Sequence, residues 1–259
     1  MNKDRIYFNQ SPQPTIGVEA ELFTVSKKDF NLYPGAPAIL NKFEDDIHVK
    51  EELLECIVEV NTGICQDVAG VRSDLMNKIA EVQQQANEEG TDLVSIGTHP
   101  FASWKDQTVT SSPPLYKVFG TDAVPDIEEM VNLAGLIQCL VVGFSEYYDD
   151  GAQLPILDPW VINENKWRAT RYGLDAEIIK DERGNLQALR SNIMETIDIL
   201  IPVAKELGCK DELVKLGDLA ENNQAPYQRQ ILQFQKNIDY TDIVKNSIFE
   251  LEKGIMVEC

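Results

Sequence analysis

Two short stretches of strict period-two alternation constrain this chain more than anything else in it. They are Thr15-Ile-Gly-Val-Glu-Ala-Glu-Leu-Phe23 and Cys56-Ile-Val-Glu-Val-Asn-Thr-Gly63, and each reads as a strand with one apolar and one polar face. In the first, Ile16, Val18, Ala20 and Leu22 point one way and Glu19 and Glu21 the other. In the second, Cys56, Val58 and Val60 oppose Ile57, Glu59 and Asn61. A strand rises roughly 3.3 Å per residue, which sets Glu19 and Glu21 about 6.5–7 Å apart along one face. Hard cations such as Mg²⁺ take oxygen ligands and are held by one or two carboxylates together with phosphate oxygens. Two strands of one sheet, offering carboxylates from the same face, would make the floor of a Mg–nucleotide site. The plainer alternative is a solvated outer face, the common fate of glutamates on an antiparallel strand. Gly17 before the pair and Asn61-Thr-Gly63 after Glu59 favour the floor, because glycine permits close approach of a ligand or an unusual turn.

Charge narrows the function classes. The 259 residues carry 23 basic and 43 acidic side chains, a net charge of −20. General nucleic-acid binding needs a basic footprint, which this composition lacks. A phosphate-bearing ligand would require a local cationic patch and a metal ion. One such patch exists: Lys166, Arg168 and Arg171 lie within six residues around Trp167. It reads either as a salt-bridged helix surface or as a phosphate clamp, and the acidic background favours the clamp. The five cysteines (56, 65, 139, 209 and 259) are odd in number and hold no Cys-x-x-Cys pair, so free thiols in a reducing cytoplasm are expected. No apolar run of membrane-span length and no signal-peptide core is evident, which sets the expectation of a cytoplasmic protein with no membrane partner.

Along the chain, residues 1–14 read as an irregular lead-in and 15–24 as the first strand. Residues 27–37 read as a loop or hairpin, 38–46 as a short helix, and the second half of 49–62 as a strand. Asp67 caps a long amphipathic helix to about Glu89, with Val71, Leu75, Ile79 and Val82 on one face. Leu93 to Gly97 reads as a third strand ending at Thr98-His-Pro-Phe101, and His99 is a candidate polar contact there. Asp126 and Glu129 form a capping box for a helix to about Tyr148. Two helices follow over 185–207, with Pro202 as a kink, and 211–222, and a last one over 241–253. Strands early and helices late predict an α+β fold: an antiparallel sheet covered by helices, with a mainly helical C-terminal half.

Four stretches in order carry a resemblance: Gly17-Val-Glu-Ala-Glu21, Val58-Glu-Val-Asn-Thr-Gly63, Gly97-Thr-His-Pro-Phe101 and Glu164-Asn-Lys-Trp-Arg-Ala-Thr-Arg-Tyr-Gly173. Together they resemble the bacterial carboxylate–amine ligases of the glutamate–cysteine ligase type 2 family, over about residues 15–235. The resemblance implies a sheet like that of glutamine synthetase and glutamate–cysteine ligase. It also implies an ATP- and Mg²⁺-dependent reaction of glutathione biosynthesis. In that reaction glutamate's γ-carboxylate takes the γ-phosphate of ATP, and an amine such as cysteine's displaces phosphate from the γ-glutamyl phosphate. Glu19, Glu21 and Glu59 match the acidic strand positions and would hold Mg²⁺, with Glu19 and Glu21 also counted as catalytic. Lys166, Arg168 and Arg171 match the basic segment and would contact the phosphates. His99 matches the Thr-His-Pro stretch and is placed near the substrate. A homodimer is implied by the same resemblance.

The chain also departs from the family. Between the Tyr116 region and Asp122-Ala-Val-Pro-Asp126, family members carry a long block with a His-Val-His-Val-Gly-type strand and a later Glu-x-Arg strand. Neither pattern occurs here, and the only histidines are His48 and His99. The chain reads as one catalytic domain, 1–259, with an internal deletion near 117–122. That gap motivates the alternative: a non-catalytic relative that binds nucleotide or a partner and has lost its amino-acid site.

Overall fold

In the computed structural model, residues 13–110, 124–152 and 157–256 are described. The lead-in before residue 13, the Tyr116–Asp122 junction and Cys259 lie outside them. The architecture is α+β, as expected. A four-stranded antiparallel sheet has the order β2-β3-β1-β4, from β1 (Glu19–Ser26), β2 (Val49–Glu51), β3 (Ile57–Asn61) and β4 (Thr91–Val94). Its first strand by sequence is therefore central. β1 starts later than the alternation predicts, because Ile16 makes only an isolated bridge to Cys65. β4 is likewise shifted, running from Thr91, opposite Ser26, to Val94, opposite Phe23.

One face of the sheet is the core. Ala20, Leu22, Val58, Val60 and Leu93 pack on Val71, Leu75, Ile79 and Val82 of α2 (Val68–Glu88). Asp67 caps α2 by accepting a hydrogen bond from the Gly70 N–H at 2.9 Å. Beneath α2 lie α3 (Ile127–Asp149), α5 (Leu189–Glu206) and α6 (Lys210–Glu221), whose Val131, Ala134, Leu200 and Leu213 complete the same cluster. On the opposite face, Phe23 and Val25 follow Glu19 and Glu21 at period two. They pack with Val94 and Ile96 against Val244 and Ile248 of α8 (Thr241–Ile255). α8 thus covers one end of the outer face and leaves the glutamate end open.

Several local expectations change. The short helix is α1, Ala36–Leu40, beginning and ending earlier than predicted, with turns after Asn41. Asp126 does cap α3, accepting from the Glu128 N–H at 2.7 Å, but Glu129 does not complete a capping box. Its carboxylate instead takes a two-pronged pair from Arg229 of α7 (Pro226–Asn237), at 2.6 and 3.1 Å. A bidentate charged pair in a half-dry setting outweighs a single bond to one backbone N–H. Residues predicted as the start of a helix at 185 form β6 (Leu186–Ala188), paired with β5 (Glu177–Ile179), and α5 runs on past Pro202.

α3 is 23 residues long, apolar enough by composition to cross a membrane, with a mean hydropathy of 1.5 over its most apolar window. The reading of the sequence missed this. Just over half of that window, 56%, is buried inside the protein, as for a core helix. Glu128 and Glu129 at its start are both ion-paired to other helices.

Candidate functional site

The register of β1 on β3 decides which carboxylates meet. Glu21 stands directly opposite Glu59, and Glu19 opposite Asn61. On the next strand Lys50 stands opposite Glu59. Since side chains directly across a ladder share a face, Glu19, Glu21, Glu59, Asn61 and Lys50 all rise from the open face. The two alternating stretches therefore fold into one polar surface.

Glu59 is the best anchored of these groups. Its Oε1 accepts a hydrogen bond from Asn61 Nδ2 at 2.7 Å and lies 3.5 Å from Lys50 Nζ. Burial alone would raise the Glu59 carboxyl, but hydrogen bonds from Glu52 and Asn61 and the charge of Lys50 hold it below its ordinary value. Glu21 moves the other way: burial, then the charges of Glu59 and Glu19, push it up. Glu52, in the loop between β2 and β3, is pushed up to about 7 by burial and by sharing a hydrogen bond with Glu59. Glu52 is thus the group of this pair that favours its protonated form and Glu59 the one that favours its charge, which lessens the negative charge beside the face.

Beside this face runs a cleft of about 820 Å³, walled by α1, β2 and the loop after it. Glu52 and Glu59 line it together with Glu44, Asp46, Glu51 and Glu55, and among the described residues Lys50 is its single cation.

The donors fit a hard divalent ion. Carboxylates from two adjacent strands supply oxygen ligands of the preferred type. Asn61 Oδ1 is buried and has no hydrogen-bond partner among the described residues, leaving an amide oxygen beside Glu59 available to an ion or its water. Among the described residues no three His, Cys, Asp or Glu side chains are already drawn to metal-ligating distance. Glu19, Glu21 and Glu59 share a face by register rather than by mutual contact.

The Asn-Thr-Gly turn contributes differently from its reading in the sequence. Thr62 Oγ1 accepts from the Val18 N–H at 3.0 Å, and Asp74 of α2 accepts from the Gly63 N–H at 2.9 Å. The first bond locks the start of β1 to the end of β3, and the second ties the turn to α2. At Gly17 an added Cβ would meet nothing closer than 3.7 Å, so this position makes no close approach that demands glycine.

The remaining candidates sit apart from the carboxylates. His99 is buried, and both ring nitrogens have partners. Nε2 donates to the Phe30 carbonyl at 2.9 Å, and Nδ1 accepts from the Ala102 N–H at 3.1 Å. Burial lowers its pKa, so the ring is neutral and pins the loop after β4 to the turn after β1. Lys166, Arg168 and Arg171 lie on α4 (Pro159–Tyr172), which packs on β5. Arg168 pairs with Glu164 at 2.8 Å and donates to the Glu177 carbonyl at 3.1 Å, tying α4 to β5. Arg171 stacks over Tyr172, while the Lys166 side chain is exposed. Among the described residues no ion pair joins these cations to Glu19, Glu21 or Glu59. Lys50, Glu52 and Asn61 were absent from the sequence-based site. Asn61 was within reach, lying two residues from Glu59 on the same face; Lys50 and Glu52 needed the β2–β3 register.

An antiparallel sheet with helices behind it and a carboxylate-rich open face in front defines a class of acidic-floored α+β proteins. Comparison with known proteins places the chain more narrowly. The model of glutamate-cysteine ligase family 2 matches residues 15–119 and 117–246. A Mycobacterium sp. (strain KMS) protein named "Putative glutamate--cysteine ligase 2-1" is 27% identical over 345 aligned positions, covering 87% of this chain and 92% of the relative. A Thermobifida fusca (strain YX) protein named "Putative glutamate--cysteine ligase 2" is 26% identical over 374 positions, covering 96% and 94%. The chain belongs to glutamate-cysteine ligase family 2. Both alignments are longer than the chain's own 259 residues, so these relatives carry internal positions without a counterpart here.

Proposed function

We propose that this protein is an ATP-dependent carboxylate–amine ligase that joins glutamate's γ-carboxylate to an amine such as cysteine's. The observation that carries the reading is the β1–β3 register, which sets Glu21 against Glu59 with Glu19 and Asn61 alongside, in a member of this family. Phosphoryl transfer asks a protein chiefly for positioning and charge compensation. Mg²⁺, when bound, would neutralise the charge of the transferring phosphate. Glu19, Glu21 and Glu59 would hold the ion, with Asn61 Oδ1 as a further oxygen donor. Glu59 is the carboxylate readiest to bind it, because Asn61 and Lys50 already keep it ionised and oriented. Glu52 would release its proton as the ion arrives. The exposed Lys166 and Arg171 would meet phosphate oxygens, Lys50 stays with Glu59, and Arg168 serves the α4–β5 junction. His99 positions the loop after β4 and keeps its protons to itself.

A second reading has its own support. The relatives' internal positions that this chain lacks include more residues than a surface loop holds, and the family match breaks into two blocks meeting near residue 117. On that reading the internal block is deleted near 117–122, the acidic face still takes Mg–nucleotide, and no amino-acid pocket stands beside it. One assay separates the two: ADP release from Mg–ATP with glutamate and a panel of amines, beside Glu21→Gln. Amine-dependent release that Glu21→Gln abolishes supports the ligase. Nucleotide binding without release from folded protein supports the non-catalytic relative.

A further inference from the structure

Away from the acidic face, the helical layer holds two thiols in contact. Cys139 of α3 and Cys209 at the start of α6 are both fully buried, with their sulfurs 3.3 Å apart. They are separated by 70 positions in sequence, so only the packing of α6 on α3 brings them together. A glycine lies at the closest part of that junction. Gly135 lies one turn before Cys139, and a Cβ there would sit 3.5 Å from the Cys209 Cβ and 3.6 Å from that of Glu212. The same junction is braced by Arg72 of α2, which pairs with Glu128 of α3 and Glu212 of α6 at 2.6 and 2.8 Å.

We propose that Cys139 and Cys209 form a reversible disulfide, made by a small peroxide, that staples α3 to the start of α6. A disulfide S–S bond is about 2.05 Å long, so the sulfurs need close by only about 1.3 Å in total, within reach of side-chain rotation. The Cys139 S–H hydrogen bond favours the thiolate at Cys209, and a helix N-terminus does the same. Cys209 therefore attacks: its sulfur takes one peroxide oxygen, becoming a sulfenic acid, and the second oxygen leaves as water. The Cys139 sulfur then displaces that hydroxyl, also released as water, and loses its own proton. Two thiols and one hydrogen peroxide give one disulfide and two waters. Full burial selects a small oxidant over a bulky disulfide, and the cross-link reverses when a dithiol reaches it through local opening.

The test uses the full chain. Reduced protein is pulsed with hydrogen peroxide, denatured, alkylated and digested, and its peptides are weighed without reduction. The expected result is a linked pair of peptides carrying Cys139 and Cys209, two hydrogens lighter than the two thiol peptides, with Cys56 and Cys65 still alkylated. Closing so long a loop should raise the melting temperature by about 5–15 °C, and dithiothreitol should return it. Cys139→Ser should remove the link and leave Cys209 as a sulfenic or sulfinic acid. The proposal is overturned if Cys139 and Cys209 stay fully alkylated, if they oxidise further without linking, or if urea-unfolded protein links them equally well. A link that leaves the melting temperature unchanged would overturn the staple.

Discussion

Glu21 of β1 and Glu59 of β3 are direct cross-strand partners, so two carboxylates face each other across the centre of the sheet. Like charges placed this way destabilise a ladder. Glu21→Gln should therefore raise stability, by about 0.2–1 kcal/mol, while it abolishes amine-dependent ADP release. Chemical denaturation and the ADP assay on the same preparation check both halves. A loss of stability would mean that the facing carboxylates do not repel.

Glu52 holds its proton up to about pH 7, well above the ordinary 4.5 for a glutamate. The folded state therefore binds that proton more tightly than the unfolded chain does. Its contribution to stability is complete below about pH 4.5 and is lost as pH rises through about 7, and Glu21 acts in the same sense. Urea midpoints taken from pH 5 to 8 should fall with pH, and Glu52→Gln should flatten that fall. An unchanged slope in the variant would place the proton elsewhere.

Arg229 grips Glu129 of α3 and Glu250 of α8 with two hydrogen bonds each. Arg229→Ala should cost about 3–5 kcal/mol, because it strands the Glu129 carboxylate in a nearly dry position. Adding Glu129→Gln should recover part of the loss, which a double-mutant cycle in urea would measure.

Gly173 ends α4 with φ at 56° and ψ at −138°, a conformation open to glycine. A Cβ there would fall 2.5 Å from the Tyr227 ring, whose hydroxyl accepts the Leu174 N–H at 3.0 Å. Gly173→Ala should lower stability by about 1–3 kcal/mol, read by thermal or urea unfolding.

The α4 cations should divide by function. Lys166→Ala or Arg171→Ala should leave stability within about 0.5 kcal/mol and raise the KM for ATP if these side chains meet phosphate. Arg168→Ala should instead lower stability, since it removes the Glu164 pair and the bond to the Glu177 carbonyl. Equal effects of all three on KM would show that Arg168 too leaves its structural partners for the nucleotide.

Much of this was legible before folding was considered. Val71, Leu75, Ile79 and Val82 recur at helical spacing and do form the buried face of α2. Glu19 and Glu21 alternate with Ala20 and Leu22 and do stand on the outer face. Such patterns are local, because burial imposes the period of the element on the residues it contains. Glu129 shows where local reasoning stops. Its spacing from Asp126 spells a capping box, yet Arg229, 100 residues further on, offers a stronger partner.

Alternation, the Asp67 cap and the family stretches thus follow from the order of residues alone. So does the presence of carboxylates on the outer faces of two strands. That Glu21 meets Glu59, that Lys50 and Asn61 hold Glu59 ionised, and that Cys139 touches Cys209 follow only from tertiary structure. Strand register and helix packing are set by many distant contacts acting together. A shift of one residue in the β1–β3 ladder would turn these side chains to the other face, and no short stretch of sequence contains that choice.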